Sequence, residues 1–206
     1  MNKYYKKVRH IGYITYLKLY YGFFFLYQKL YLIWLRKKET INVVFFASNL
    51  SMWKYQRLYE LLKKDNRFKV YIVVSPFVVF NRAERQKVAE ELYRYFDSKN
   101  EEYIEFNQDN IFKVKSLKPN ILFYTQPYMH GLVKEHDYTS FLNKLLCYYP
   151  YCFINKTRVS AYNSSFHNIA WKLFYPTKLD LDVAKEVAVN KGRNVVVVGS
   201  PTADQF

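Results

Sequence analysis

The sequence predicts an α/β chain, a Rossmann-like, doubly wound and mainly parallel sheet preceded by an amphipathic basic helix. Three observations lead there. Short apolar runs alternate with amphipathic helical stretches from Ile41 onward. Those runs are continuously apolar rather than alternating, the mark of strands covered on both faces. The first forty residues differ in kind, being aromatic and basic with Glu39 as their one acid.

Ile41 to Ala47 reads as the first strand, and Ser48-Asn49-Leu50-Ser51 as a loop and helix cap. Trp53 to Lys64 places Tyr55, Leu58, Tyr59, Leu61 and Leu62 on one helical side. Phe68 to Val74 is a second strand closed by Ser75-Pro76, and Asn81 to Ser98 a long charged helix. A short third strand is expected over Tyr103 to Phe106, a short helix over Ile111 to Leu117, and strands over Ile121 to Tyr124 and Leu145 to Tyr149. Phe166 to Phe174 and Asp180 to Asn190 read as helices, the second stopped by Lys191-Gly192. Val195 to Val198 is the final strand. The one boundary falls near Thr40, separating residues 1–40 from a domain over 41–206.

The chain has 206 residues and a net charge of +15, an excess that calls for an anionic partner. No RNA-binding sheet signature, zinc-finger spacing or helix-turn-helix pattern is present, so a membrane ranks ahead of nucleic acid. Ile11 to Leu35 is apolar but broken by Lys18, Gln28 and Lys29, and Leu19 to Tyr27 is its longest clean run. A membrane span needs about 20 apolar residues in succession. Lys7, Lys18 and Lys29 are spaced by eleven, close to three helical turns, with Arg36 on the same line. The expected structure is a helix lying in an anionic membrane surface, its lysines reaching toward headgroups. A true span and a helix packed on its own protein are the alternatives. The positive flanks predict a peripheral protein on the cytoplasmic face of the cell membrane.

No dinucleotide or P-loop glycine pattern follows the first strand, which disfavours a nicotinamide enzyme, and no cofactor or metal site is expected. In an open parallel sheet, ligands bind beyond the carboxyl ends of the strands. That places Ser48 and Asn49, Gln126 and Tyr128, and Tyr149 and Tyr151 as candidate substrate-binding residues. His130, His136 and His167 are the candidate bases, since imidazole titrates near neutrality. His136-Asp137 suggests a base with an orienting carboxylate, although a surface histidine is the simpler reading. Cys147 and Cys152 have no metal or redox spacing and read as buried free thiols.

Several stretches stand in a familiar order. They are Ile41 to Ala47 with Trp53-Lys54-Tyr55, Val73-Val74-Ser75-Pro76-Phe77, Lys118-Pro119-Asn120 through Gln126-Pro127-Tyr128, Cys147-Tyr148-Tyr149-Pro150-Tyr151, Phe166-His167-Asn168 through Tyr175, and Asn194 through Gly199-Ser200-Pro201. Together they resemble the CDP-glycerol glycerophosphotransferases of teichoic-acid and capsule synthesis. That resemblance implies one half of a GT-B fold, the acceptor-side domain of a transferase that moves glycerol phosphate onto a polymer or lipid-linked acceptor. It places CDP-glycerol on a further, C-terminal domain that would follow Phe206. Family members carry a His-Gly-Thr-Pro stretch with the base where Tyr149-Pro150-Tyr151-Cys152 stands here, so that base is not carried over. A membrane-bound module without catalysis, and half of a sugar-transferring GT-B enzyme, are the competing expectations.

Overall fold

The computed structural model describes residues 3–152 and 159–200, with side chains from residue 12 onward. The strands are β1 (Ile41–Ala47), β2 (Phe68–Val74), β3 (Ile121–Tyr124), β4 (Leu145–Tyr148), β5 (Lys172–Tyr175) and β6 (Val195–Val197). They form one sheet in the order β2-β1-β3-β4-β5-β6, every pair parallel. The helices are α1 (Lys3–Leu35), α2 (Gln56–Lys63), α3 (Arg82–Ser98), α4 (Ser165–Ile169) and α5 (Lys178–Val187).

The continuous apolar runs are explained by burial on both faces. One face sends Val44, Phe46, Leu122, Tyr124, Leu146 and Tyr148 against Phe166 and Ile169 of α4, Ala184 of α5 and Tyr21 of α1. The other sends Val43, Phe45, Ala47, Phe123 and Cys147 toward Tyr59 of α2 and Ala89, Leu92 and Phe96 of α3. Helices thus cover both faces, the expected doubly wound arrangement.

Four boundaries differ from expectation. Phe166 to Phe174 is not one helix: α4 stops at Ile169 and β5 begins at Lys172. The stop is made by partners distant in sequence. Gln28 Nε2 donates to the Ile169 carbonyl at 2.7 Å, and Asn194 Nδ2 to that of Ala170 at 2.7 Å, occupying acceptors that end a helix. Tyr103 to Phe106 is no strand; a single parallel bridge joins Ile104 to Val73. Over Ile111 to Leu117 only Val114–Leu117 coils, as a 3-10 turn. The second helix begins at Gln56, because Leu50–Met52 forms its own 3-10 turn first.

The first helix has two working faces. Its inner line, Leu17, Tyr21, Phe24, Gln28, Tyr31 and Leu35, packs on the domain. Tyr27 Oη donates to the Asn143 carbonyl at 2.9 Å, and Asn120 Nδ2 to Tyr31 Oη at 2.9 Å. Asn120, Asn143 and Ile169 precede β3, β4 and β5, so this half of α1 crosses the amino ends of the strands.

Candidate functional site

The chain leaves β1 toward β2 in one direction and reaches β3 and β4 in the other, so the order reverses between β1 and β3. A crevice beyond the carboxyl ends at such a reversal is where open α/β sheets bind ligands. Ser48 ends β1 there, and Thr125 and Gln126 end β3. The hydroxyls of Ser48 and Thr125 are buried without a hydrogen-bond partner. A buried unpaired hydroxyl is costly, and two stand on adjacent strand ends at this reversal, with Arg85 Nε, His167 Nε2 and Tyr175 Oη in the same state elsewhere.

Other expected residues at this edge are committed to the loops. Asn49 Oδ1 accepts from Ser51 N at 2.9 Å and Ser51 Oγ at 2.7 Å, so it caps the turn. Gln126 is buried; its Oε1 accepts from Tyr128 N. Its amide lies so close over Gly131 that a Cβ there would collide with it. The brace lifts Tyr128 and Met129 into solvent. His130 follows them, exposed, with a left-handed φ of 58°. Tyr55, expected only on a helix face, ties the edge together. Its Oη donates to the Tyr124 carbonyl at 2.6 Å and accepts from Tyr149 N at 2.9 Å, joining the ends of β3 and β4. Tyr149 is itself buried, with its Oη on the Gly199 carbonyl at 3.3 Å. Tyr151 is half-buried; burial raises its phenol, with Cys152 and Tyr128 as neighbours.

The three histidines do not converge. His136 is buried, not on the surface. Its Nε2 lies 2.8 Å from the Phe112 carbonyl, which can only accept, so Nε2 carries the proton. Nδ1 then accepts from Ser75 Oγ at 2.9 Å. Burial lowers the basicity of this ring. Asp137 does not orient it: one carboxylate oxygen accepts from Thr139 N and Oγ1, the other from His130 N at 2.6 Å. His136 pins the loop to the end of β2. His167 is also buried; Ser164 engages its Nδ1, its Nε2 has no partner, and burial lowers its pKa to about 4. His130 alone among these three presents its ring to solvent at the edge. Ser75, Thr125 and Tyr55 were missed; the first two carry a signal, each being a hydroxyl just past a continuously apolar run.

The thiols divide: Cys147 is buried, its pKa raised by burial, whereas Cys152 is exposed, against the expectation that both lie inside. Among the described residues no group of three or more His, Cys, Asp or Glu is placed to hold a metal ion.

The outer face of α1 is a second candidate surface. Tyr16, Leu19, Phe23, Leu26, Leu30 and Ile33 recur at three- and four-residue steps and are 55–72% exposed. Lys18, Lys29 and Arg36 are exposed along one flank, and Tyr13, Tyr20 and Trp34 stand along the other at multiples of seven. The Lys7 side chain lies outside the described residues. Among the described residues no helix is long and apolar enough to cross a membrane. Elsewhere, α2 and the sheet face over β3, β5 and β6 enclose an open groove of about 410 Å³, lined by Leu58, Leu61, Phe123, Phe174 and Val198 and rimmed by Lys54 and Arg57.

Comparison with protein-family models, with curated proteins and with solved structures found no match to this chain.

Proposed function

We propose that this chain is the acceptor-side half of a CDP-glycerol glycerophosphotransferase-like enzyme, working as a peripheral protein on the cytoplasmic face of an anionic membrane. The observation that carries the membrane part is the outer face of α1, an apolar strip flanked by cations and aromatics on a helix without a single acid. Such a strip enters the headgroup boundary while lysines meet lipid charge. Self-association of α1 is disfavoured, because it would bring these cations together unpaired.

The transfer part is supported by the ordered resemblances and by the unpaired hydroxyls at the strand reversal. In the transfer, an acceptor hydroxyl forms a bond to the glycerol-bearing phosphorus, the bridging P–O bond breaks, CMP leaves, and the acceptor proton passes to a base. His130 is the histidine accessible for that proton, with Tyr128 beside it to orient the acceptor. A further domain would supply the donor.

The test is transfer of labelled glycerol phosphate from CDP-glycerol to membrane-bound acceptor by the full gene product, compared with its His130→Ala variant. Acceptor-dependent CMP release that falls on substitution is expected. Turnover of a nucleotide sugar instead would assign a sugar transferase. The open groove beside α2 favours a second reading, a membrane-bound interaction module. A bound protein that slows exchange at Leu61 and Val198, with no donor consumed, would establish it.

A further inference from the structure

A cleft of about 270 Å³ lies between α1 and the turn that joins α5 to β6. Lys18 of α1 and Lys191 and Arg193 of the turn line it, and no Asp or Glu does. The four ion pairs among the described residues lie elsewhere and use none of these cations.

The turn is built to hold its shape. Lys191 and Gly192 both take left-handed φ, 58° and 66°, which for lysine is a strained choice. A network of amides holds it there, Asn168 and Asn194 buried and Asn190 half-buried. Asn190 Nδ2 donates to Asn194 Oδ1 at 3.0 Å, and Asn190 Oδ1 accepts from Gly192 N at 2.9 Å. Asn168 Oδ1 accepts from Asn190 N at 2.9 Å. On the opposite wall Gly22 leaves room: a Cβ there would meet nothing within 4 Å. The cleft opens beside the Lys18 and Lys29 flank of α1, next to the exposed apolar strip.

We propose that this cleft binds a phosphate ester, presented by the headgroup of a lipid in the membrane on which α1 lies; the headgroup source rests on the membrane role proposed for α1. Three cations line the cleft without a carboxylate, which favours an anion; Lys191 Nζ donates to the Glu186 carbonyl at 3.2 Å, and the guanidinium of Arg193 offers paired donors to phosphate oxygens.

The probes are glycerol 3-phosphate in solution, followed by backbone amide shifts, and sedimentation with phosphatidylglycerol or phosphatidylcholine vesicles. Saturable shifts at Gly22, Gly192 and Arg193 are expected, with competition from phosphatidylglycerol vesicles. Lys191→Gln with Arg193→Gln should weaken binding to anionic vesicles roughly 30-fold, the loss expected for two cations near a charged surface. Lys64→Gln with Lys99→Gln removes the same charge elsewhere and should change it less than about threefold. Gly22→Phe fills the cleft without changing charge and should abolish the shifts; Gly22→Ala should not. Shifts that survive Gly22→Phe would overturn the site. Saturation without vesicle competition would assign a soluble phosphate ester and overturn the headgroup source. If the wild type sediments with no vesicle yet still titrates, the membrane reading fails and the cleft stands. If it sediments but shows no shifts and Gly22→Phe alters nothing, the cleft fails and the membrane reading stands.

Discussion

Replacing His167 with glutamine should flatten the acid side of the stability profile. Burial lowers this imidazole from its ordinary 6.5 to about 4. Each tenfold change in proton affinity corresponds to about 1.4 kcal/mol, so the whole displacement is worth about 3 kcal/mol. The sign follows from proton counting. Between these two values the unfolded chain binds a proton that the folded chain does not, so stability is full above about 6.5 and falls as pH drops toward 4. Of the total, about 2 kcal/mol lies between about pH 7.5 and about pH 5, before most carboxylates titrate. His136, also lowered by burial, adds in the same direction, so the informative quantity is the difference between wild type and variant. Glutamine at this position can still reach back to the Ser164 backbone, as His167 Nδ1 does now, which keeps the capping box. Urea unfolding at the two pH values should show wild type losing about 2 kcal/mol more than His167→Gln, or about 4–8 °C in Tm. Parallel losses, within about 0.5 kcal/mol, would refute the assignment of a buried neutral imidazole. The same burial bears on catalysis: with His167 as the base, the acid limb of a rate profile would lie near 4.

Tyr55→Phe should cost about 1–3 kcal/mol, because it strands the Tyr124 carbonyl and the Tyr149 N–H in the core; an unmoved urea midpoint would contradict the bridge. Gln28→Leu leaves the Ile169 carbonyl unpaired at a similar cost and should speed amide exchange along α1, whereas unchanged exchange would mean that the helix is docked by other contacts. A thiol reagent should modify Cys152 in the native protein and reach Cys147 only after denaturant is added; rapid modification of both would show that the β4 core opens.

The sheet was legible because its strands are buried on both faces, and an apolar run of four to seven residues bounded by turn residues is the pattern such strands require. The same rule failed at Phe166 to Phe174. That apolar stretch fits a helix as well as a strand, and the choice is made by Gln28 and Asn194, which reach its carbonyls from 141 and 24 residues away. In sequence the first helix reads as one surface with one role. Its inner and outer apolar lines are both regular, and only docking shows that one is buried on the domain while the other is left open. At the candidate site, strand-end logic pointed to one edge of the sheet, but it could not tell spent groups from free ones. Asn49 and Gln126 satisfy their own loops, while Ser48 and Thr125 are left unpaired, a distinction that depends on hydrogen bonds formed after folding. His136 shows the same limit: the sequence offered a surface position, or Asp137 beside it as a partner, whereas the ring is buried and held by Ser75, 61 residues away.

The central claim is that α1 lays its outer strip on an anionic membrane while its inner face stays on the domain. Sedimentation with phosphatidylglycerol vesicles of the wild type and of Leu19→Glu with Phe23→Glu and Leu30→Glu tests it most directly. These side chains face solvent, so the variant should fold with an unchanged unfolding midpoint yet remain in the supernatant, while the wild type pellets. A variant that pellets as well as the wild type, or a wild type that stays in solution, would contradict the claim.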